Sequence, residues 1–417
     1  MSTNKYAQPK VSLPVSENLS AQPTQSNPTI LWANVYCLLD TSSGASMAVR
    51  EMLLQLMKSG FNVAVVGATI FDAPKGMTRI ESQLAQAGDN EQILKITDGP
   101  ITHYLTRTQS TVREQMTTKE SNAWFNLYLK ALEDTQPDIV YYYGGNAMDF
   151  LIPIEAKKRG IATVAYLVNG NYSGQKWCED VDLILTDSYA TAKMYRDKDG
   201  IDPHPIGAFI DPEPVIAKTK DPKNILLINP SLEKGGAVVV RIAMLLEKLR
   251  PDIHFEVVES RGNWHELVHS ISSQVGEPRT ELSNVTVTPN TLDMKPVFGR
   301  AKILLALSLW WDSFPRVVIE SMMNGVPAIV SDHGGLPEAV GAGGVRIKFA
   351  EEFLQPPYNL VPNDELLHRI IQVIVRFYDD AAFYEDLSQK ALKQGEQHKI
   401  ELSTQRLINE LTRLLPV

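Results

Sequence analysis

The stretch SLWWDSFPRVVIESMMNGVPAIVSDHGGLPEAV, residues 308–340, predicts a loop, a helix, a strand and a second loop in succession. Ser313 is of a type that caps helices, and Pro315 suits a first helical turn. Gly325 stands where a glycine commonly ends a helix, and Pro327 prevents the helix from continuing. The apolar run that follows Pro327 predicts a buried strand. The stretch therefore indicates one repeating unit of an α/β sheet.

The same alternation extends outward in both directions. Short apolar runs typical of strands begin at Ile30, Asn62, Asp138, Thr163, Asp182, Asn224, Phe255, Asn284, Lys302, Pro327 and Gly344. Amphipathic stretches such as 46–58, 124–133 and 237–249 lie between many of these runs and predict helices. Strands that alternate with helices predict parallel sheets with right-handed crossovers. Residues 68–121 are more polar and less regular, and we interpret them as an elaboration of the first sheet.

Composition and patterning divide the chain into five predicted parts. These are a disordered tail (1–28), a first domain (29–212), a proline-containing linker (213–223), a second domain (224–385) and a helical segment that packs back on the first domain (386–417). We expect two doubly wound Rossmann-like domains that face each other across a cleft. Such a pair would bind a ligand in the cleft, because open α/β sheets bind ligands at the carboxyl ends of their strands. Two independent domains without a shared site are the alternative.

Composition excludes several functional classes. Of 417 residues, 44% are hydrophobic, so the chain has ample material for buried cores. The net charge is 40 − 49 = −9, which gives no global basic field for nucleic acid. No apolar run approaches the roughly 18 residues of a membrane span, and the N-terminal residues do not resemble a signal peptide. With only Cys37 and Cys178, we expect a soluble cytoplasmic protein of enzyme size.

The stretch 308–340 also contains the strongest candidates for chemistry. Asp312 lies in the loop before the predicted helix, and Glu320 lies about two turns inside it. The backbone amides of residues 313–316 form the positive end of that helix, which suits a phosphate. The glycines of the second loop, residues 332–337, permit a ligand to approach the backbone closely. Taken alone, the two acids also fit a solvated loop residue and a satisfied helix residue.

In combination these features resemble the donor-binding half of retaining GT-B glycosyltransferases, in particular glycosyltransferase family 4 (glycosyl transferases group 1). The E-x7-E signature of that family stands here as Asp312-x7-Glu320, within a match of about thirty residues. The loop INPSLEKGG, which begins at Ile228, resembles the family's diphosphate-binding loop and implies that role for Lys234. An arginine stands about five residues earlier in much of the family. This chain has Asn229 there, as in the subset with NPSPEKG-like loops.

The first domain resembles the family more loosely. The loop DTSSGAS, residues 40–46, is similar to the glycine loop at the family's cleft, although an ordinary turn between strand and helix explains it equally well. After the strand that begins at Thr163, the family often has a catalytic-site histidine. This chain has Asn169 there, which offers hydrogen bonds but cannot act as a general base.

The resemblance implies transfer of a sugar, with retention, from a nucleoside-diphosphate sugar of the UDP or GDP type, without a further cofactor or a metal. Lys234 and the amides of 313–316 would neutralise the diphosphate, Glu320 would hold the ribose, Asp312 would hold sugar hydroxyls, and 289–291 would border the base. The implied catalytic residues are Asp312, Lys234 and Glu320. The implied donor site comprises Asn229, Lys234, Pro289, Asn290, Thr291, Asp312, Ser313, Phe314, Pro315, Arg316, Glu320, His333, Gly334 and Gly335. The implied acceptor side comprises Ser43, Gly44, Ala45 and Asn169.

Two other functions remain open at this point. The aspartate at position 312 and the missing histidine also fit a GT-B partner subunit that binds without turnover. A nucleotide-sugar epimerase on the same fold is the other alternative. The lack of a transmembrane segment favours a soluble acceptor, such as a protein, peptide, glycan or small molecule, and we expect no nucleic-acid partner.

Overall fold

The computed structural model describes residues 27–88, 91–143 and 147–415. Residues 1–26 of the predicted tail lie outside this part of the chain. The described strands form two sheets, one of eight strands and one of six. The first sheet is formed by residues 29–205 and the second by residues 224–347. The predicted division of the chain at 213–223 stays a prediction.

The first sheet is mostly parallel. Its strands are β1 (Thr29–Ala33), β2 (Asn62–Ala68), β3 (Ile93–Asp98), β4 (Ile101–Thr106), β5 (Ile139–Tyr142), β6 (Ala162–Leu167), β7 (Leu183–Thr186) and β8 (His204–Pro205). They lie in the order β3-β4-β2-β1-β5-β6-β7-β8, and only the β3–β4 pair is antiparallel. The α-helices between them are α1 (Gly44–Lys58), α2 (Glu81–Gln86), α3 (Thr118–Thr135), α4 (Leu151–Lys157) and α5 (Tyr189–Asp199).

The second sheet is parallel throughout. Its strands are β9 (Asn224–Ile228), β10 (Phe255–Val258), β11 (Val285–Thr288), β12 (Ala301–Ala306), β13 (Ala328–Ser331) and β14 (Gly344–Ile347). They lie in the order β11-β10-β9-β12-β13-β14. The remaining α-helices are α6 (Gly236–Leu249), α7 (Trp264–Gln274), α8 (Lys295–Arg300), α9 (Arg316–Met323), α10 (Leu336–Val340), α11 (Asp364–Asp379), α12 (Ala381–Glu396) and α13 (Ile400–Thr412).

This architecture confirms the predicted α/β class with two Rossmann-like domains of the GT-B fold. In each sheet the chain moves to one side of the first strand and later returns to its other side. That reversal occurs at β1, between β2 and β5, and at β9, between β10 and β12. Loops diverge at such switch points and leave a crevice for a ligand. Within the described residues, no helix is long and apolar enough to cross a bilayer.

The polar segment 68–121 is more regular than we expected. It contains the antiparallel hairpin β3–β4, which extends the first sheet at one edge. Along β3 buried and exposed side chains alternate, with Leu94 and Ile96 inside and Lys95 and Thr97 outside. An edge strand that is covered on one face keeps polar residues at every second position. That alternation explains why the segment lacks the continuous apolar runs of the central strands.

The end of the chain contacts both domains. Ala391 of α12 is buried in the core beside the second sheet, together with residues of α9. Ile400, Leu407 and Leu411 of α13 are buried in the core beneath the first sheet, where they pack with α1. The C-terminal helices therefore contact both domains.

Candidate functional site

A cavity of about 650 Å³ lies between the two domains. Loops that follow β1 and β6 line it from the first domain, and loops that follow β9, β10, β11 and β12 line it from the second. These are the carboxyl ends of the strands around both switch points, where the fold predicts a ligand. The volume is in the range of small-molecule sites.

Most of the predicted site residues line this cavity. They are Ser43, Gly44, Ala45, Asn169, Asn229, Lys234, Asn290, Thr291, Asp312, Ser313, Phe314, Pro315, Arg316 and Glu320. Pro289, His333, Gly334 and Gly335 are not among its lining residues. Gly335 packs behind the wall instead: its N–H donates to the Asp312 carbonyl over 2.7 Å, and a Cβ there would lie 1.8 Å from the Ser313 carbonyl oxygen. His333 contacts the Trp311 ring edge-on. The roles of all these residues stay predictions.

Lys234 and Asp312 form an ion pair at the cavity wall. The Lys234 Nζ lies 2.5 Å from Asp312 Oδ1, and the Trp310 Nε1 donates to the same oxygen over 2.9 Å. Burial alone would raise the pKa of Asp312, but the Lys234 charge and these hydrogen bonds hold that pKa below its usual value. Asp312 is therefore an anion that already has a cation as its partner. Asp312 is shorter than the glutamate of the family's E-x7-E signature, and its carboxylate contacts Lys234 directly.

Glu320 and Arg316 lie one helical turn apart on α9. The Arg316 guanidinium donates to Glu320 Oε1 over 3.3 Å and to the Phe209 carbonyl of the first domain over 2.8 Å. Glu320 is 7% exposed, and burial raises the pKa of its carboxyl although the Arg316 charge opposes this. Glu320 is the fifth residue of the helix, so it lies about one turn inside the helix and not about two turns as predicted.

Ser313 does not cap α9, contrary to the prediction. Pro315 occupies the N-cap position, without a side-chain hydrogen bond. The Ser313 hydroxyl instead donates to Asp187 Oδ1 and lies 2.8 Å from the Thr191 hydroxyl, both in the first domain. The Ser188 hydroxyl completes the contact by donating to the Ser313 carbonyl over 2.7 Å. Partners across the cleft therefore outcompete the helix terminus for this hydroxyl.

Asp187 is a cavity residue that the sequence did not reveal. It follows β7, and burial raises the pKa of its carboxyl to about 7, although the hydrogen bond from Ser313 opposes this. Nearby Glu338 contributes to the increase through its negative charge. The carboxylate of Glu338 in turn accepts hydrogen bonds from the Tyr189 and Ala190 amides at the start of α5. These contacts join the two domains beside the cavity.

Asn169 lies directly opposite Asp312. The two residues form an isolated antiparallel bridge between the domains. The Asn169 Oδ1 accepts from the Asn171 amide over 2.9 Å, and its carbonyl accepts from the Tyr195 hydroxyl over 2.6 Å. Trp311 packs against Gly170, where a Cβ would lie 3.1 Å from the ring. Asn169 therefore joins the first domain to the donor-side loop.

Asn229 holds a second loop in place. It has a φ of 61°, and its Oδ1 accepts from the amides of Arg261 and Gly262 at 3.0 Å each. Arg261 follows β10, lines the cavity, and has the carboxylate of Asp72 across the cleft at 3.8 Å. No sequence pattern pointed to Arg261 apart from its position after a predicted strand. The structure thus brings Arg261 to the cavity that contains Lys234.

The described part of the chain contains no group of three or more His, Cys, Asp or Glu side chains arranged to hold a metal ion. Lysine, arginine and backbone amides are the groups in the cavity that suit an anion. The arrangement fits a bound phosphate ester with polar groups on either side.

Comparison with known families supports this interpretation. Residues 213–372 match the family described as "Glycosyl transferases group 1". This match contains the 308–340 stretch and the Lys234 loop, and it confirms the predicted resemblance. No curated protein sequence matches the chain significantly.

Solved structures of similar fold span nearly the whole chain. A glycosyltransferase from Rickettsia africae has a TM-score of 0.64 at 14% identity and covers 93% of this chain and 98% of its own. Sucrose-phosphate synthase from Thermosynechococcus elongatus has a TM-score of 0.65 at 15% identity, with 93% and 99% covered. The Anabaena protein HepE, in complex with UDP-glucose, has a TM-score of 0.64 at 13% identity, with 92% and 99% covered. These likenesses show that the chain shares its two-domain fold with these proteins, and the family match covers residues 213–372 of it.

Proposed function

We propose that this protein transfers a sugar from a nucleoside-diphosphate sugar to an acceptor, with retention of the anomeric configuration. The observation that carries the proposal is the convergence of Lys234, Asp312 and Glu320 in one cavity between the two domains. These three side chains come from separate loops and one helix of a domain that matches glycosyl transferases group 1.

The donor would lie along the second domain. Lys234 and Arg261 neutralise the diphosphate as negative charge develops on it in the transition state. The amides at the start of α9 add hydrogen bonds to the same group. Glu320 accepts hydrogen bonds from the ribose hydroxyls, and Asn290 and Thr291 border the base. A donor of the UDP type is favoured over GDP because the Anabaena protein HepE was solved with UDP-glucose.

The acceptor would enter from the first domain. Its hydroxyl oxygen attacks the anomeric carbon while the bond from that carbon to the diphosphate oxygen breaks. Attack from the face of the leaving group retains the configuration, and the departing diphosphate takes the acceptor's proton. Because the leaving diphosphate accepts the proton, this route needs no protein base, which is compatible with Asn169 at the position where the family often has a histidine. Closure of the two domains around the donor would exclude water that could hydrolyse it.

The test is a panel of nucleotide sugars scored first by thermal shift and then by product formation. We expect a UDP- or GDP-sugar to stabilise the wild type and to be slowly hydrolysed or transferred. The product should have the same anomeric configuration as the donor. Lys234→Ala removes the proposed phosphate contact, and Lys393→Ala, at an exposed lysine of α12 outside the cavity, is the matched control. Binding without any turnover would favour the partner-subunit alternative, and an isomerised nucleotide sugar would favour the epimerase.

A further inference from the structure

One cation on the acceptor side of the cavity is not explained by donor binding. Arg79 lies at the end of the 3₁₀ helix Pro74–Arg79 and lines the cavity from the first domain. This segment is held firmly against the loop that follows β1. The Thr41 amide donates to the Gly76 carbonyl over 3.0 Å, and a Cβ on Gly76 would lie 1.9 Å from Asp40 Oδ1. The backbone that carries Arg79 is therefore fixed beside α1.

The charge of Arg79 is not compensated by a direct partner. Among the described residues, no side chain or carbonyl forms a hydrogen bond or an ion pair with its guanidinium. The neighbouring cation, Arg50, is different, since its Nε and Nη2 lie 2.5 and 2.8 Å from the two oxygens of Asp98. Burial and the charge of Arg50 lower the pKa of Arg79, the charges of Asp98 and Glu51 oppose this, and arginine remains a cation. A guanidinium placed in this way is suited to bind an anion that comes from outside.

The other charged groups near Arg79 suit the rest of such a ligand. Glu51 of α1 lines the same wall and is 8% exposed. Its Oε1 accepts from the Gln55 side chain over 2.7 Å, and no cation lies within ion-pair distance of it in the described chain. Asp211 lines the cavity nearby. Carboxylates accept hydrogen bonds from hydroxyl groups, whereas a guanidinium binds phosphate or carboxylate through two parallel bonds.

We propose that the acceptor is a hydroxylated anion, whose phosphate or carboxylate binds Arg79 while Glu51 accepts a hydrogen bond from one of its hydroxyls. This inference rests on the proposed function, since it names the class of acceptor for the same cavity. It follows from the position of Arg79 on the first domain, whereas Lys234 and Arg261, which line the same cavity, belong to the second domain. A diphosphate held by those two cations leaves Arg79 for the second substrate.

The test uses calorimetry on protein saturated with UDP, or with GDP where the donor panel selects it. The probes are glucose 6-phosphate, glucuronate, inorganic phosphate and neutral glucose. We expect the anionic probes to bind more tightly than glucose, and we expect binding to weaken as salt is added. Arg79→Gln should weaken the anionic probes by about tenfold to a hundredfold, the effect of losing a hydrogen bond to a charged group. Arg79→Lys should recover part of that loss because it keeps the charge but not the planar fork.

Arg369→Gln removes the same charge outside the cavity and is expected to bind every probe as the wild type does. The arms with glucose 6-phosphate and glucuronate distinguish a phosphate from a carboxylate as the preferred group. Equal binding of glucose and the anions, no binding of any anion, or unchanged binding in Arg79→Gln would each overturn the inference. If the nucleoside diphosphate itself does not bind, the proposed function fails, and this inference fails with it.

Discussion

Replacing Asp312 with asparagine should separate donor binding from sugar transfer. In the structure, Asp312 neutralises Lys234 over 2.5 Å and also accepts from Trp310. A diphosphate that binds Lys234 must therefore share it with this carboxylate. Asp312→Asn keeps the volume and removes the competing charge. We expect nucleoside-diphosphate affinity to increase while transfer decreases.

The distance sets the size of the effect. At 2.5 Å and an effective dielectric constant of about 20, the two charges attract by about 7 kcal/mol, most of which the loss of hydration offsets. The net contribution of such a charged hydrogen bond is about 1.5–3 kcal/mol. In the wild type with UDP bound, Lys234 keeps part of its attraction to Asp312, so only part of this energy opposes binding. We therefore expect Asp312→Asn to bind UDP about tenfold more tightly than the wild type, which corresponds to about 1.4 kcal/mol. Transfer should fall by about 10²-fold, since a contact that positions the sugar is lost.

Calorimetry with UDP and with uridine, together with donor turnover, measures both parts of this prediction. Uridine has no phosphate, so its affinity should be the same in both proteins. Asp386→Asn, at an exposed aspartate that pairs with Lys390 outside the cavity, removes the same charge and serves as the control. Weaker UDP binding in Asp312→Asn, or tighter binding in both variants, would refute the reasoning about Lys234. Full turnover in Asp312→Asn would refute the contact with the sugar.

Three further variants test other parts of the site. Lys234→Ala should weaken UDP binding by about 1.5–3 kcal/mol in calorimetry and leave uridine unchanged, because only UDP has the diphosphate. Glu320→Gln replaces an acceptor oxygen with a donor, so it should weaken binding of ribonucleotides but hardly that of 2′,3′-dideoxy nucleotides. Burial raises the pKa of Asp187 from 3.8 to about 7. Between these two pH values, the folded protein keeps a proton on Asp187 that the unfolded chain has released. Its contribution to stability should therefore fall from pH 4 to pH 7, and Asp187→Asn should flatten that decline in thermal unfolding.

Each of these expectations has a result that contradicts it. Equal losses for UDP and uridine in Lys234→Ala would mean that the lysine does not bind phosphate. A Glu320→Gln protein that still prefers ribose as strongly as the wild type would remove Glu320 from the ribose. Parallel stability curves for the wild type and Asp187→Asn between pH 4 and pH 7 would show that Asp187 titrates normally in the folded protein.

The fold was largely predictable because buried parallel strands leave a strong pattern. The runs at Asn224, Phe255 and Pro327 consist mainly of apolar residues, and the structure places a central strand at each of them. The β3–β4 hairpin was missed because it lies at an edge and alternates polar with apolar residues. The end of α9 was predicted correctly, since Gly325 has a φ of 64° directly after the C-cap Asn324.

The site was predictable only where its residues are close together in the sequence. Lys234, Asp312 and Glu320 belong to local motifs, and the structure brings them to one cavity. Arg261 and Asp187 stand out only when loops from different strands meet. The true partner of Ser313 likewise lies 126 positions away in the chain, where no local pattern indicates it.

A structure of this protein with its preferred nucleotide sugar bound would test the proposed donor site directly. We expect the diphosphate to lie within hydrogen-bonding distance of the Lys234 Nζ and the amides that begin α9, with the ribose on Glu320 and the sugar beside Asp312. A nucleotide bound along the first domain, or one whose diphosphate makes no contact with Lys234, would contradict it.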